Sequence, residues 1–257
     1  MKVAILAGGR GTRLLGGESS HPKALFEIGG RPIIWHIMNI YGAAGYRDFL
    51  LLLGYKADEV VDYFVNRLPF QGRDLRVRIS EQAAPELLDG GPQTDWSVTL
   101  CDTGLEAEKG ERIRKARKYL MDDEDFMVTY GDGLIDLDPR VLMDFHRSHG
   151  KIATVTAIRA RSQFGHVEVA ENGQVRQMRE NPMLPEWING GFFVFNRRIF
   201  DCLDPYDTLE TGCLRKLAEI GELMAYRHEG FWACMDTYKD NLRLNDLWDS
   251  GQAPWAR

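Results

Sequence analysis

The sequence predicts an α/β fold built on a doubly wound sheet, and three observations support it. Val3 to Ala7 is a continuous apolar run stopped by glycine, which is typical of a strand buried on both faces in a parallel sheet. "DFLLLLGY" repeats the order of apolar strand, glycine and new helix, and "EDFMVTYGDG" ends a third buried strand at glycine. We therefore expect a Rossmann-like, mostly parallel mixed sheet, with α+β decoration in the C-terminal half.

The remaining elements follow from the spacing of apolar residues along the chain. Ile33, Ile37 and Ile40 fall on one face at helical spacing. Similar patterns predict helices at Pro32 to Ala44, Ala57 to Asn66, Arg140 to His149, Leu209 to Ile220 and Thr237 to Trp248. Strands are predicted at "LRVRISE", "KIATVTAIRA", "FGHVEVAE", "QVRQMRE", "GGFFVFN" and "LMAYRHEG". Segment 83–109 has one apolar patch, "WSVTL", and we interpret it as an excursion that forms a small hairpin.

Length and composition limit the class of protein. With 257 residues, of which 44% are hydrophobic, the chain can bury one sizeable core, so we expect a single domain over 1–257. A net charge of -6 gives no basic field for nucleic acid, so an anion must be held by a local positive cluster. No apolar stretch approaches the ~20 residues of a membrane span. The four cysteines lack metal-ligand or disulfide spacing, and we expect free thiols in a reducing cytoplasm.

The segment "VAILAGGRGTRL" places glycines and arginines directly after the first predicted strand. In open α/β sheets, glycine-rich turns at the carboxyl ends of strands let backbone N–H groups approach phosphate oxygens. The segment lacks both the GK[ST] of a P-loop and the third glycine of GxGxxG. Arg13 adds a forked donor set, and Lys23 adds a point charge. The pattern indicates a different nucleotide loop, and the alternative is a glycine turn with solvated charges.

Two aspartates are candidates for a metal site. Asp132 in "TYGDGL" follows a buried strand at the same sheet edge as the first loop. Magnesium usually takes one or two carboxylates plus phosphate oxygens, so a distant second acid is expected, and Asp236 in "FWACMDTYKD" is the candidate. Asp236 could equally be the N-cap of the following helix. His146 and His149 have ligand-like spacing, but their place at a helix C-terminus before Gly150 favours a capping role.

Five ordered motifs resemble those of the sugar-1-phosphate nucleotidylyltransferases: "LAGGRGTRL", "PKALFEIGGRPI", "TYGDG", "INGGFFV" and "GFWACMDT". They span almost the whole chain, and the resemblance is strongest to members that use CTP and glucose 1-phosphate. It implies a Mg²⁺-dependent enzyme in which a sugar phosphate oxygen attacks the α phosphorus of CTP in line, giving CDP-glucose and pyrophosphate. We expect a cytoplasmic homo-oligomer whose partners are CTP and a sugar phosphate rather than nucleic acid or a membrane.

The resemblance also implies roles for particular residues. It divides the chain into a nucleotide-binding part, 1–150, and an acceptor-binding part, 151–257. The implied nucleotide-binding residues are Leu6, Ala7, Gly8, Gly9, Gly11, Thr12, Arg13, Lys23, Thr103, Gly110, Arg112 and Gly131. The implied acceptor-binding residues are Gly165, Arg179, Glu180, Asn181 and Asn189. The implied catalytic residues are Arg13, Lys23 and Asp132, and the implied metal ligands are Asp132 and Asp236.

The chain departs from the family pattern on the acceptor side. "RENPM" keeps Glu180 but has Asn181 where the family has a lysine on the sugar phosphate, which removes a contact worth roughly 1.5 to 3 kcal/mol. Either the acceptor differs or another cation binds its phosphate. Arg179 is a candidate for this cation, because side chains two residues apart on a strand point to the same face, which Arg179 would share with Asn181. Glu111 stands where close relatives have a second glycine, so the CTP preference is also open.

Three functions therefore remain under consideration. The first is a cytidylyltransferase that makes CDP-glucose or a CDP-activated relative from another phosphorylated acceptor. The second is a uridylyl- or thymidylyltransferase of the same fold. The third is a non-catalytic protein that binds sugar nucleotide and regulates a partner. The third should have lost catalytic groups, yet Arg13, Lys23, Asp132 and Asp236 are all present.

Overall fold

The computed structural model describes residues 1–9, 21–77, 86–88 and 94–256. Gly11, Thr12 and Arg13 lie outside the described residues, and so does part of the predicted strand "LRVRISE". The roles expected for these three loop residues therefore stay predictions.

The helices and strands account for most of the described chain. The strands are β1 Lys2–Leu6, β2 Glu27–Ile28, β3 Arg31–Pro32, β4 Asp48–Leu53, β5 Leu75–Arg76, β6 Glu86–Leu87, β7 Ser97–Asp102, β8 Asp125–Tyr130, β9 Gly133–Ile135, β10 Ala153–Ile158, β11 His166–Val169, β12 Val175–Arg179, β13 Ile188–Asn196, β14 Leu223–His228 and β15 Trp232–Cys234. The α-helices are α1 Ile33–Ala43, α2 Ala57–Asp62, α3 Lys109–Lys115, α4 Arg117–Leu120, α5 Pro139–His149, α6 Arg215–Glu219 and α7 Tyr238–Asp249.

Seven strands form the central sheet, in the order β14-β10-β13-β8-β1-β4-β7. β13 is antiparallel to β8 and to β10, and the other neighbouring pairs are parallel, which confirms the expected mostly parallel mixed sheet. The chain moves outward from β1 through β4 to β7 and then returns to place β8 on the opposite side of β1. This reversal leaves a crevice at the carboxyl ends of β1 and β8, which is where α/β sheets of this kind bind ligands.

Both faces of the sheet are buried, which explains the continuous apolar runs in the sequence. On β1, Val3 and Ile5 belong to one core cluster, whereas Ala4 and Leu6 belong to the other. The first cluster includes apolar side chains of α1 and α5, and the second includes side chains of α3, α4 and α6. The doubly wound arrangement is therefore confirmed, and it fixes the ends of β1 and β8 between two packed layers.

The expectation for segment 83–109 is wrong in part. "WSVTL" contributes to β7, which pairs in parallel with β4 along its whole length as the edge strand of the central sheet. The small hairpin is formed earlier, by β5 and β6. β7 has a mixed polar and apolar surface because an edge strand is only partly covered, and such a pattern looks locally like a hairpin strand.

The helix predicted at Leu209 to Ile220 is divided. A π-helical turn covers Glu210–Leu214 and α6 follows it, while Leu209 has a positive φ of 70°. The carboxylate of Asp207 accepts hydrogen bonds from the backbone N–H groups of Leu209 and Cys213, and this stabilises the irregular turn. Across the described ranges of the chain, no helix combines the length and the apolar character that crossing a membrane requires.

Candidate active site

A cavity of about 580 Å³ opens at the carboxyl ends of β1 and β8, where the strand order reverses. The structure brings ten of the sequence-predicted site residues to its wall: Leu6, Ala7, Gly8, Gly9, Lys23, Arg112, Gly131, Asp132, Asn189 and Asp236. Residues from both halves of the chain therefore meet at one site, as the motif positions predict.

The walls formed by β1 and β8 are close together because one residue after β8 has no side chain. The backbone N–H of Gly131 donates to the carbonyl of Leu6 at 3.1 Å. A Cβ atom at Gly131 would lie 2.8 Å from that carbonyl oxygen, which is closer than real Cβ contacts. Glycine at 131 therefore allows the two strand ends to meet, and this places Asp132 beside the first loop.

Arg112 lines the cavity, and its guanidinium is held in place by protein oxygens. Its side chain is 5% exposed, and burial is the main effect that lowers its pKa from the ordinary range. Its Nη1 and Nη2 groups donate to five protein oxygens, which are the carbonyls of Leu53, Gly104, Leu105 and Gly8 and the hydroxyl of Thr103. Arg112 thus connects the loops after β1, β4 and β7.

Two other residues expected to bind nucleotide do not line the cavity. Thr103 is buried, and its hydroxyl donates to the carbonyl of Leu53 at 2.5 Å while accepting from Arg112. Gly110 packs against Asp207, whose carbonyl oxygen would lie 2.7 Å from a Cβ at that position. Both residues stabilise the wall from behind.

Lys23 lies between the two predicted metal ligands. Its Nζ is 2.7 Å from Asp132 Oδ2 and 2.5 Å from Asp236 Oδ1. Burial disfavours the charge on Lys23, but the two carboxylates overcome this effect and hold its pKa above the ordinary value of 10.5. The ammonium group is therefore charged at neutral pH and neutralises much of the carboxylate pair.

Asp236 is not the N-cap of α7. Thr237 caps the helix, because its hydroxyl accepts from the backbone N–H of Asp240 while the Asp240 carboxylate accepts from the N–H of Thr237. The alternative interpretation of Asp236 is wrong, and its carboxylate faces the cavity.

The chemistry of the acidic cluster fits a divalent cation that prefers oxygen ligands. Oxygens of Asp132 and Asp236 and the sulfur of Cys234 lie within 4.8 Å of one another. Burial, followed by the charge of Asp132, raises the pKa of the Cys234 thiol well above its ordinary value, so this sulfur stays protonated. The two carboxylates are thus the better ligands, and they suit magnesium. Cys234 is a free thiol, as the sequence predicts. The sequence did not indicate that this thiol lies beside the two aspartates.

A polar network lies on the Asn189 side of the cavity, and Asn189 is its one member that the sequence predicts as a site residue. Asn189 Nδ2 donates to the hydroxyl of Tyr130 at 2.9 Å. The Tyr130 hydroxyl and the Lys109 ammonium both donate to Oε1 of Glu210. Lys109 Nζ also lies 4.5 Å from the centre of the Tyr130 ring. No short motif contains these four residues, since they come from four separate segments of the chain.

The other residues expected on the acceptor side do not reach the cavity wall. Gly165, Arg179, Glu180 and Asn181 lie at or near the exposed hairpin of β11 and β12. The expectation that Arg179 and Asn181 share a strand face is wrong. β12 ends at Arg179 and the chain bends, with Asn181 in the left-handed region at a φ of 47°, so strand alternation no longer applies.

The two histidines of α5 have protein partners on the neighbouring strand β10, which the expected capping role does not describe. His146 Nδ1 and His149 Nε2 are each 2.8 Å from the hydroxyl of Thr154, and Gly150 ends the helix with a φ of 63°. Neither histidine belongs to a metal-like cluster within the described part of the chain.

Comparison with known proteins gives a consistent result. The family profile described as "Nucleotidyl transferase" matches residues 2–237. Glucose-1-phosphate cytidylyltransferase of Salmonella typhi is 42% identical, over 99% of this chain and 98% of that protein. The mannose-1-phosphate guanylyltransferase catalytic subunit beta of Drosophila melanogaster is 29% identical, over 94% of this chain and 61% of that protein.

A solved structure shares the fold. The crystal structure of HddC from Yersinia pseudotuberculosis aligns with this chain at a TM-score of 0.69 and 20% sequence identity. The alignment covers 96% of this chain and 99% of the HddC chain. Together with the family match over residues 2–237, the geometry of the cavity leads to one conclusion. This chain is an enzyme that belongs to the nucleotidyl transferase family.

Proposed function

We propose that this enzyme transfers CMP from CTP to glucose 1-phosphate, giving CDP-glucose and pyrophosphate. The observation that carries the proposal is the position of Lys23, Asp132 and Asp236 in the cavity where the strand order reverses, near Gly8 and Gly9 after β1. The 42% identity to the Salmonella typhi glucose-1-phosphate cytidylyltransferase, over 99% of this chain, supports the choice of nucleotide and acceptor.

The proposed reaction needs positioning and charge neutralisation rather than a general base. A phosphate oxygen of the acceptor is already ionised at neutral pH, and it forms a bond to the α phosphorus of CTP. The bond between that phosphorus and the bridging oxygen breaks, and pyrophosphate leaves with the electron pair.

Asp132 and Asp236 are the residues that would hold Mg²⁺ in this proposal. A bound magnesium ion would neutralise the phosphate oxygens of CTP and of the leaving pyrophosphate. The ammonium of Lys23, which lies between these two carboxylates, is proposed to bind the α phosphate. Gly11, Thr12 and Arg13 are proposed to bind the β and γ phosphates, and Leu6 to Gly9 to hold the base and ribose.

The departure at Glu111 leaves the proposed preference for CTP in place. Glu111 is 6% exposed and forms ion pairs with Arg114 and Lys115, at 3.8 and 3.4 Å. It does not line the cavity, so its carboxylate has no direct contact with a bound base. Transfer from UTP or dTTP is the second candidate function.

The deciding experiment measures pyrophosphate release for CTP, UTP, dTTP, ATP and GTP against a set of sugar 1-phosphates. We expect CTP with glucose 1-phosphate to give the highest kcat/KM, because an unmatched base edge leaves buried polar groups unpaired. Comparable turnover with UTP or dTTP would favour the second candidate. A much better acceptor than glucose 1-phosphate would replace the acceptor assignment.

We also propose that the enzyme works in the cytoplasm as a homo-oligomer. The four free cysteines agree with a reducing compartment. The hairpin of β11 and β12 exposes apolar side chains, including Val169, Val175 and Met178, which a second copy of the chain could cover.

A further inference from the structure

The described wall of the cavity contains three cations that differ in how far their charges are already used. Lys23 is held between two carboxylates, and Arg112 donates to five protein oxygens. Lys109, at the start of α3, is different because its side chain is 43% exposed and has one carboxylate partner, Glu210. Lys109 is thus the cation of this wall with most capacity left for an anionic ligand.

The neighbours of Lys109 place its ammonium group on the Asn189 side of the cavity. Glu210 accepts from Lys109 and from the Tyr130 hydroxyl, and Asn189 donates to the same hydroxyl. The Tyr130 ring lies under the ammonium at 4.5 Å, which adds a cation–π contact. We call these four residues, Lys109, Tyr130, Asn189 and Glu210, the acceptor wall.

The acceptor wall is built to hold a charged group in one place. Burial, followed by the hydrogen bond to Glu210, raises the pKa of Tyr130, so its hydroxyl keeps its proton and acts as a donor to that carboxylate. An ammonium group has three N–H donors. Glu210 uses one of them, and two remain for the oxygens of a ligand.

We propose that Lys109 is the cation that binds the phosphate of the sugar phosphate acceptor, and that Glu210 and Tyr130 position it. The inference deepens the proposed function and rests on it. It also accounts for the neutral amide at Asn181, since a phosphate bound at the acceptor wall needs no cation from the hairpin. Arg179 is exposed on β12 and outside the cavity wall, so it does not serve this purpose.

The test compares Lys109→Gln with Lys118→Gln. Lys118, on α4, also lies over a tyrosine ring, that of Tyr119 at 4.8 Å, but it is outside the cavity and provides a matched control. KM for glucose 1-phosphate, KM for CTP and kcat are measured for each variant, and CTP binding without acceptor is measured by calorimetry.

Loss of one charge-assisted contact predicts that Lys109→Gln raises KM for glucose 1-phosphate about tenfold to hundredfold. KM and Kd for CTP should stay within about twofold of the wild type, and Lys118→Gln should match the wild type throughout. Lys109→Arg, which keeps the charge, should recover most of the loss. Glu210→Gln should raise the KM for the acceptor severalfold without weakening CTP binding, because Glu210 acts by positioning Lys109.

An unchanged acceptor KM in Lys109→Gln, with an active wild type, overturns this inference and leaves the proposed function intact. Equal weakening of CTP binding and acceptor binding also overturns it, because Lys109 would then act on the nucleotide as much as on the acceptor. A wild type that releases pyrophosphate with none of the sugar phosphates overturns the proposed function itself. If Lys109→Gln has a lowered thermal midpoint, Glu210→Gln decides the outcome by the same split between the KM for the acceptor and the KM for CTP.

Discussion

Asp132 and Asp236 are held together by a single ammonium group, that of Lys23, at 2.7 and 2.5 Å from one oxygen of each. Two carboxylates that approach each other across a cavity repel unless a cation lies between them. In the structure the protein supplies this cation itself, and these two carboxylates are the residues that would hold a divalent ion in the proposed function. Lys23 therefore acts on both the stability and the chemistry of the site.

The first prediction is that Asp132→Asn and Asp236→Asn each reduce kcat by about a hundredfold or more while the fold is kept. Each change removes a carboxylate charge at the proposed metal site without a change in side-chain size. Steady-state kinetics at saturating Mg²⁺ measure the effect, and circular dichroism checks the fold. Asp249→Asn, at an exposed position on α7, is the control and should be fully active. Substantial turnover in either variant would exclude that carboxylate as an essential ligand.

The second prediction concerns competition between Lys23 and a divalent cation. Lys23→Met leaves Asp132 and Asp236 without their shared ammonium, so its thermal midpoint without metal should be below that of the wild type. Mg²⁺ should then raise the midpoint more in the variant than in the wild type, because no ammonium competes for the carboxylates. Lys239→Met, an exposed change on α7, is the control. Equal metal-induced shifts in variant and wild type would contradict the shared site.

The third prediction is that Arg112→Lys costs stability as well as nucleotide affinity. Lysine cannot reach the oxygens that the buried guanidinium satisfies on three loops, so we expect a loss of about 2 kcal/mol or more in urea unfolding. CTP binding should weaken because the loop after β1 loses its support at Gly8. Arg114→Lys, on the same helix and partly exposed, should stay within about 0.5 kcal/mol of the wild type. Weakened CTP binding with unchanged stability would instead indicate direct contact with the nucleotide.

The fourth prediction is acid destabilisation through His36. Its Nε2 donates to the carbonyl of Ile28 at 2.9 Å and its Nδ1 accepts from Trp255 at 3.3 Å, so the buried ring is neutral. Burial lowers its pKa below the ordinary value of 6.5. The unfolded chain therefore takes up the proton first, and stability should fall as the pH drops below about 6.5.

Thermal midpoints between pH 7.5 and 5 measure this effect. His36→Gln should lower the midpoint at neutral pH but reduce its dependence on pH, because the variant has no imidazole at this buried position. Burial also lowers the pKa of His146, so some of the dependence should persist in His36→Gln. An unchanged pH dependence in that variant would show that His36 does not contribute.

The fifth prediction revises what the sequence suggests for Asn181. The sequence alone predicts that Asn181→Lys improves the use of glucose 1-phosphate about tenfold to hundredfold. In the structure, Asn181 is exposed and outside the cavity wall, and its φ of 47° suits asparagine better than lysine. We therefore expect less than about a threefold change in KM for the acceptor. A gain of tenfold or more would show that position 181 reaches the acceptor phosphate.

The fold was predictable where local pattern and burial agree. β1, β4 and β8 are buried on both faces, so their apolar runs identify them, and the glycines that follow mark the edge where ligands bind. β7 was misinterpreted because an edge strand is only half covered, and its composition resembles that of a loop. The side of the site around Asp132 was predictable because each of its residues lies in a short motif.

Only Asn189 among the four residues of the acceptor wall could be predicted from the sequence. Lys109 looks like any lysine at the start of a charged helix, and its role depends on Glu210, which an irregular turn brings to it from a distant part of the chain. The function of Arg112 was hidden for a similar reason. Its donors are used by carbonyls of three loops, and no pattern in the sequence shows which oxygens surround a guanidinium.

The reversed direction of β13 has a consequence for how specificity can change. Because this strand runs against its neighbours, its amino end, with Asn189, arrives at the edge where β8 ends with Tyr130. The hydrogen-bonded register places Phe192 opposite Thr129, and slipping it by one residue would move each side chain of β13 to the opposite buried face of the sheet, where the packing does not match it. The separation between Asn189 and Tyr130 is therefore set by the backbone, and under the proposed function a different acceptor would be accommodated by changing side chains on the acceptor wall.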